Sequence, residues 1–131
     1  MNTDTAIITE TLERVAERVG DPMPLVFKRL FADAPDTEPL FIRDPGGLVR
    51  GQMFQVTIES LLDFLSDKAY GANLIQIERV NHQGLGVEPA VFDTFYATVV
   101  TTFRDILGAD WTPDMEAVWT RTVRDLTGVI V

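Results

Sequence analysis

Apolar residues recur at the spacing of an α-helix along almost the whole chain, and this periodicity limits the fold more than any other feature. In the first segment, Ile8, Leu12, Val15 and Val19 step by four, three and four residues, which places them on one helical face. Later segments repeat the pattern, and no stretch reads convincingly as a strand. The sequence therefore predicts an all-α fold of about seven helices, two of them short.

Glycine and proline mark the predicted ends of these helices. Gly20 is expected to end the first helix, and Thr112-Pro113 has the residue types that begin the last one. A long helix is expected from about residue 48 to residue 66, and another is opened by Pro89. In the helix between them, Leu74 and Ile77 are expected to turn inward, with Val80 as a further candidate.

Composition excludes several classes of protein. The chain of 131 residues is 46% apolar and 24% charged, which is typical of a folded chain and predicts one domain over residues 1–131. It has no cysteine, so disulfides, thiolate zinc sites and Fe–S clusters are excluded. A net charge of −9 disfavours nucleic acids and anionic membranes as partners. With no signal-like start and no long apolar run, we expect a cytoplasmic protein.

Known catalytic and nucleotide-binding motifs are missing from the sequence. There is no Gly-rich phosphate loop, and a Ser-His-Asp site would need His82, which has no nucleophile motif near it. His82 is the only histidine, so a metal site with several histidines is impossible. We therefore assign no catalytic residues. A lone histidine is most often a surface or capping residue, but the residues that follow His82 change this interpretation.

The sequence after His82 resembles the region of the proximal histidine in globins, where a short turn, a branched apolar residue, a proline and an aromatic residue follow. Here these are Val87, Pro89 and Phe92. Residues 106–119 resemble the join between the last two globin helices, and residues 27–41 resemble the second helix and the corner after it. The chain is thus similar to the globin family, in particular to single-domain bacterial haemoglobins and the globin part of flavohaemoglobins.

This resemblance implies a globin-like fold around one haem pocket, with haem b as cofactor and His82 as the ligand of its iron. It also implies cofactor-binding roles for eight further residues. Phe41 would cover one edge of the porphyrin, and Met53 would take the position of the usual distal residue. The remaining six are Phe27 and Thr57 on the gas side, Val87 and Phe92 on the histidine side, and Phe95 and Val99 at the pocket floor.

Two features of the resemblance leave alternatives open. A shift of the distal helix by a residue or two would bring Gln52 or Gln55 inward in place of Met53. Glu78 stands one turn before His82, where globins usually have an apolar residue against the haem. Two functions therefore remain. One is reversible binding of dioxygen or another diatomic gas for transport, scavenging or sensing, and the other is a haem-free globin-fold module for protein interaction or signalling.

An enzymatic role is not expected of this chain alone. Nitric oxide dioxygenation of the flavohaemoglobin type would need a separate reductase, because the sequence contains no reductase domain. Whether the sixth iron position is taken by a protein side chain, and whether the chain forms a homodimer, are left open by the sequence.

Overall fold

A computed structural model describes residues 3–66, 70–84 and 89–128 of the chain. These residues form six α-helices and two 3₁₀ helices, and no strand occurs among them. The prediction of an all-α fold is therefore confirmed. In chain order the elements are α1 (Thr3–Val19), α2 (Met23–Asp33), a 3₁₀ helix (Pro35–Phe41), α3 (Leu48–Ser66), α4 (Tyr70–Gly84), α5 (Pro89–Leu107), a second 3₁₀ helix (Gly108–Asp110) and α6 (Pro113–Thr127).

The helix ends follow the predicted signals. Gly20 has φ +70°, a left-handed conformation that glycine adopts without strain, and α1 ends at the residue before it. The Thr112 hydroxyl accepts a hydrogen bond of 3.1 Å from the backbone N–H of Met115, which caps the start of α6. The predicted helix from 48 to 66 matches α3.

The core lies where α1, α5 and α6 pack together. Trp119 is fully buried, and its ring meets that of Phe103 edge to face with 5.4 Å between centroids. Its Nε1 atom donates a hydrogen bond of 3.0 Å to the Thr11 hydroxyl, so the indole N–H is satisfied inside the core. Trp119 thus has a structural role in the core.

The inward face of α4 differs from the prediction. Ile77 is 57% exposed and Val80 is 65% exposed, whereas Ile75 is buried. Residues 75, 78 and 82 are spaced by three and four, so they share the face that turns toward the other helices. The prediction of an inward Ile77 was wrong, because the helix is rotated so that Glu78 and His82 face a cavity. The Leu74 side chain lies outside the described residues.

Candidate cofactor site

A cavity of about 620 Å³ lies among the 3₁₀ helix after α2 and helices α3, α4 and α5, in the size range of cofactor sites. Most of its lining is apolar, and a few polar groups are placed around it, which is typical of a site for a small molecule or a cofactor. The lining residues are Leu30, Thr37, Leu40, Phe41, Arg43, Asp44, Val49, Gln52, Met53, Val56, Thr57, Glu78, His82, Val91, Phe92, Phe95 and Tyr96.

His82 is placed in the cavity wall in the form that binds metals. Its Nδ1 atom lies 2.7 Å from the backbone carbonyl oxygen of Glu78. A carbonyl oxygen only accepts hydrogen bonds, so Nδ1 carries a proton, and in the neutral imidazole the lone pair is then on Nε2. The ring packs against Phe92 with 4.8 Å between centroids, and the side chain is 20% exposed. The hydrogen bond and the ring contact together fix the tautomer and the orientation of the imidazole.

The Glu78 side chain also faces the cavity. Its Oε2 atom lies 3.8 Å from Nδ1 of His82, and the side chain is 36% exposed. The same residue therefore presents a carbonyl oxygen and a carboxylate to one imidazole nitrogen. The sequence identified Glu78 as a departure from the globin pattern but gave no role for it.

Three phenylalanines form the aromatic part of the wall, and a fourth supports them from behind. Phe41, Phe92 and Phe95 line the cavity. The ring of Phe27 is 1% exposed and lies 5.3 Å from that of Phe41 and 5.2 Å from that of Phe95. Phe27 is therefore one layer behind the lining residues in this structure, and the contact with a gas ligand that the resemblance implied stays a prediction.

Two further expected site residues are not part of the described wall. Val99 is fully buried in the core and is not among the lining residues of the cavity. Val87 lies outside the described residues. For both residues, contact with a cofactor stays a prediction.

The α3 wall is formed by residues 52, 53, 56 and 57. Gln55 turns away from the cavity, and its amide donates a hydrogen bond of 3.0 Å to Glu59. Of the three residues that the sequence left open, Met53 and Gln52 thus line the cavity and Gln55 does not. The Thr57 hydroxyl donates to the carbonyl oxygen of Met53 at 2.8 Å, which leaves only its lone pairs for a ligand.

Tyr96 is a lining residue that sequence reasoning missed. It is 4% exposed, and its hydroxyl oxygen lies 3.3 Å from that of Ser60. Because Ser60 gives its own proton to the carbonyl oxygen of Thr57 at 2.8 Å, Tyr96 is the donor in this pair. The spacing of residue 96 from Phe92, one helical turn, was the signal that could have found it.

A tight group of polar contacts holds the loop at the cavity mouth. The buried carboxylate of Asp44 accepts hydrogen bonds from the backbone N–H groups of Val49 and Arg50, at 3.1 and 3.0 Å, and so caps α3. It also accepts from Nε of Arg50 at 3.1 Å. Burial by itself raises the pKa of Asp44, but these hydrogen bonds and the Arg50 charge outweigh it and hold the pKa below its usual value.

Arg43, the residue before this cap, is exposed and lines the mouth of the cavity. Sequence reasoning missed it, although its place beside the Pro-Gly-Gly loop was visible. It offers a guanidinium group to an anionic part of a ligand at the edge of the site.

Comparison with known proteins identifies the family to which the chain belongs. No curated protein matches the chain at a significant level. In the part of the chain that the structure describes, no helix has both the length and the apolar character needed to cross a bilayer. The family model described as Globin matches residues 25–130, which run from the first turn of α2 to beyond the end of α6. The chain therefore belongs to the globin family.

Proposed function

We propose that this globin binds haem b through His82 and reversibly binds dioxygen or another diatomic gas at the haem iron. Members of the family typically bind haem and a gas, which supports the general class. Ligation by His82, the type of haem and the gas are the parts that the proposal adds. We further propose that residues 1–131 act as one domain in the cytoplasm.

One observation carries the proposal. The hydrogen bond from Nδ1 of His82 to the carbonyl oxygen of Glu78, at 2.7 Å, leaves Nε2 as the nitrogen with a free lone pair. Neutral imidazole with its second nitrogen held in this way is the usual form of a metal-ligating histidine. His82 also stands in the wall of the 620 Å³ cavity, so a ligand of haem size has access to it.

The other lining residues fit a porphyrin. Phe41, Phe92 and Phe95 provide flat apolar surfaces that exclude water from a large aromatic ring system. Arg43 at the mouth is suited to pair with a carboxylate substituent of the cofactor. When bound, haem supplies an iron atom with a coordination position that takes up a diatomic gas.

The α3 side of the cavity favours a small, weakly polar ligand. Met53 and Val56 present apolar surface, and the proton of Thr57 is already donated to the backbone. The exposed amide of Gln52 is the flexible donor on this wall. These residues therefore shape the space for a bound gas and exclude water from it, and they offer few hydrogen bonds to the gas.

The experiment is titration of the purified protein with haemin, followed by the Soret band and by the ferrous spectrum. Wild-type protein is expected to bind haem with stoichiometry one. His82→Ala should weaken binding and alter the ferrous spectrum, and added imidazole should restore it because imidazole replaces the missing ligand. Gln83→Ala, an exposed neighbour on the same helix, is the matched control. An unchanged spectrum in His82→Ala would overturn the assignment.

A haem-free module for protein interaction or signalling is the second candidate. It is favoured by Glu78, which brings a carboxylate into a cavity that would otherwise be suited to an apolar ring system. The same titration separates the two functions. A folded wild-type protein that takes up no haem would support the haem-free module.

A further inference from the structure

Glu78 lies in the cavity wall beside His82, the residue proposed to ligate the iron. It stands four residues before His82 in α4, so the two side chains share one face of the helix. Its carbonyl oxygen lies 2.7 Å and its carboxylate oxygen Oε2 lies 3.8 Å from the same Nδ1 atom. The carbonyl oxygen takes the hydrogen bond, and the carboxylate adds a negative charge beside the N–H group that donates it.

Among the side chains that the structure describes, no arginine or lysine forms a salt bridge with this carboxylate. The imidazole of His82 lies 3.8 Å from it. Asp44, the other carboxylate in the cavity wall, is different, because Arg50 compensates its charge. The negative charge of Glu78 therefore acts on His82, whereas the charge of Asp44 is offset by Arg50 in the loop.

We propose that Glu78 is a positioning residue for His82, whose carboxylate makes the imidazole a stronger electron donor and so lowers the reduction potential of the haem iron. The inference rests on the proposed function, because it needs haem bound through His82. A carboxylate near the N–H of a metal-bound histidine increases the basicity of the ligand. A more basic ligand stabilises ferric over ferrous iron, which is the direction of the effect.

The expected change in reduction potential can be scaled from other groups that hydrogen-bond to metal-ligating histidines. Such partners are typically worth about 10- to 100-fold in metal affinity or activity. The Glu78 side chain is partly exposed, so water screens its charge and the lower end applies. Removal of the charge should raise the ratio of ferrous to ferric protein at a fixed potential about tenfold, or ~59 mV for a one-electron couple.

The test is the midpoint potential of the reconstituted protein, measured by spectroelectrochemistry. Glu78→Gln removes the charge and keeps the side-chain size and the backbone carbonyl, and it should raise the potential by the amount given above. Glu38→Gln makes the same change of net charge at an exposed position of the first 3₁₀ helix that does not line the cavity. Its potential should stay close to that of the wild type. Glu78→Asp keeps the charge and should restore most of the wild-type potential.

The outcomes separate this inference from the proposed function. Equal potentials for Glu78→Gln and Glu38→Gln, in protein that binds haem through His82, would overturn the role of Glu78 and leave the proposed function standing. Wild-type protein that binds no haem would overturn both. If Glu78→Gln does not fold, as judged by circular dichroism, Glu78→Leu makes the same charge change and is read in the same way.

Discussion

The hydroxyl of Thr57 donates its hydrogen bond to the carbonyl oxygen of Met53, 2.8 Å away, although both side chains line the same cavity. A hydroxyl group has one proton, so the one polar group that the sequence placed beside the gas ligand is already used by the backbone. Thr57 therefore offers no proton to the cavity, and on the α3 wall the amide of Gln52 is left as a donor.

Thr57→Val should consequently leave dioxygen dissociation close to the wild-type rate. Valine has nearly the same shape, and the lost hydroxyl does not donate into the cavity. Stopped-flow measurement of the dissociation rate in reconstituted protein checks this. A rate increase near tenfold, which is about the worth of one net hydrogen bond, would mean that Thr57 turns its proton to the ligand.

Met53→Gln should slow dioxygen dissociation by up to about tenfold, because it adds an amide donor at a position that lines the cavity. The matched control is Phe27→Tyr, which adds a hydroxyl one layer behind the wall. This control is expected to leave the rate unchanged and to lower stability, since the new hydroxyl is buried among aromatic rings. Slower dissociation in Phe27→Tyr would show that residue 27 reaches the ligand.

Phe27→Ala should lower the free energy of unfolding by about 3–5 kcal/mol, the usual cost of removing a buried phenylalanine. The ring contacts Phe31, Phe41 and Phe95, so its removal leaves a hole behind the cavity wall. Leu25→Ala, a partly exposed residue of the same helix, should cost much less. Urea denaturation of both variants without haem provides the measurement, and equal losses would contradict the placement of Phe27.

Asp44 should make stability depend on pH at the acid end. Burial raises its pKa, but the hydrogen bonds from Arg50 and Val49 lower it by more, so the folded pKa lies below the ordinary value of 3.8. The stabilisation is therefore complete above that value and is lost as the pH falls through the folded pKa. Unfolding of wild type and Asp44→Asn should differ by a constant amount near neutral pH.

Below pH 3.8 this difference between wild type and Asp44→Asn should shrink. Asp36→Asn removes the same charge from an exposed position of the preceding 3₁₀ helix and is the control for a general effect of net charge. A difference that stays constant to the lowest pH at which the protein folds would contradict the role of Asp44 as a cap that acts through its charge.

The ends of the helices could be predicted from the sequence because they depend on local signals. Gly20 and Thr112-Pro113 act on the chain next to them, whatever packs around them. The rotation of α4 could not be predicted in the same way. Ile77 and Glu78 are neighbours, and only the location of the cavity decides which of them turns inward.

The roles of polar groups in the site were hidden for a related reason. The sequence shows that Thr57 and Tyr96 carry hydroxyls, but the direction of each proton depends on acceptors in space. For Thr57 the acceptor is one turn away in its own helix, and for Tyr96 it is Ser60 on a different helix. Phe27 lies one layer behind the lining residues. The sequence could not show this, because helical spacing separates inside from outside but does not separate a cavity wall from the core behind it.

The position of Phe27 behind Phe41 and Phe95 also affects which substitutions this chain can accept during evolution. One ring supports both the hydrophobic core and the wall of the cavity. A lineage that stopped using a cofactor would still need this aromatic cluster to fold. The phenylalanines would therefore be kept after such a loss. Glu78 and His82 are not part of the buried core, so in related sequences that have lost the cofactor we expect substitutions at these two positions first.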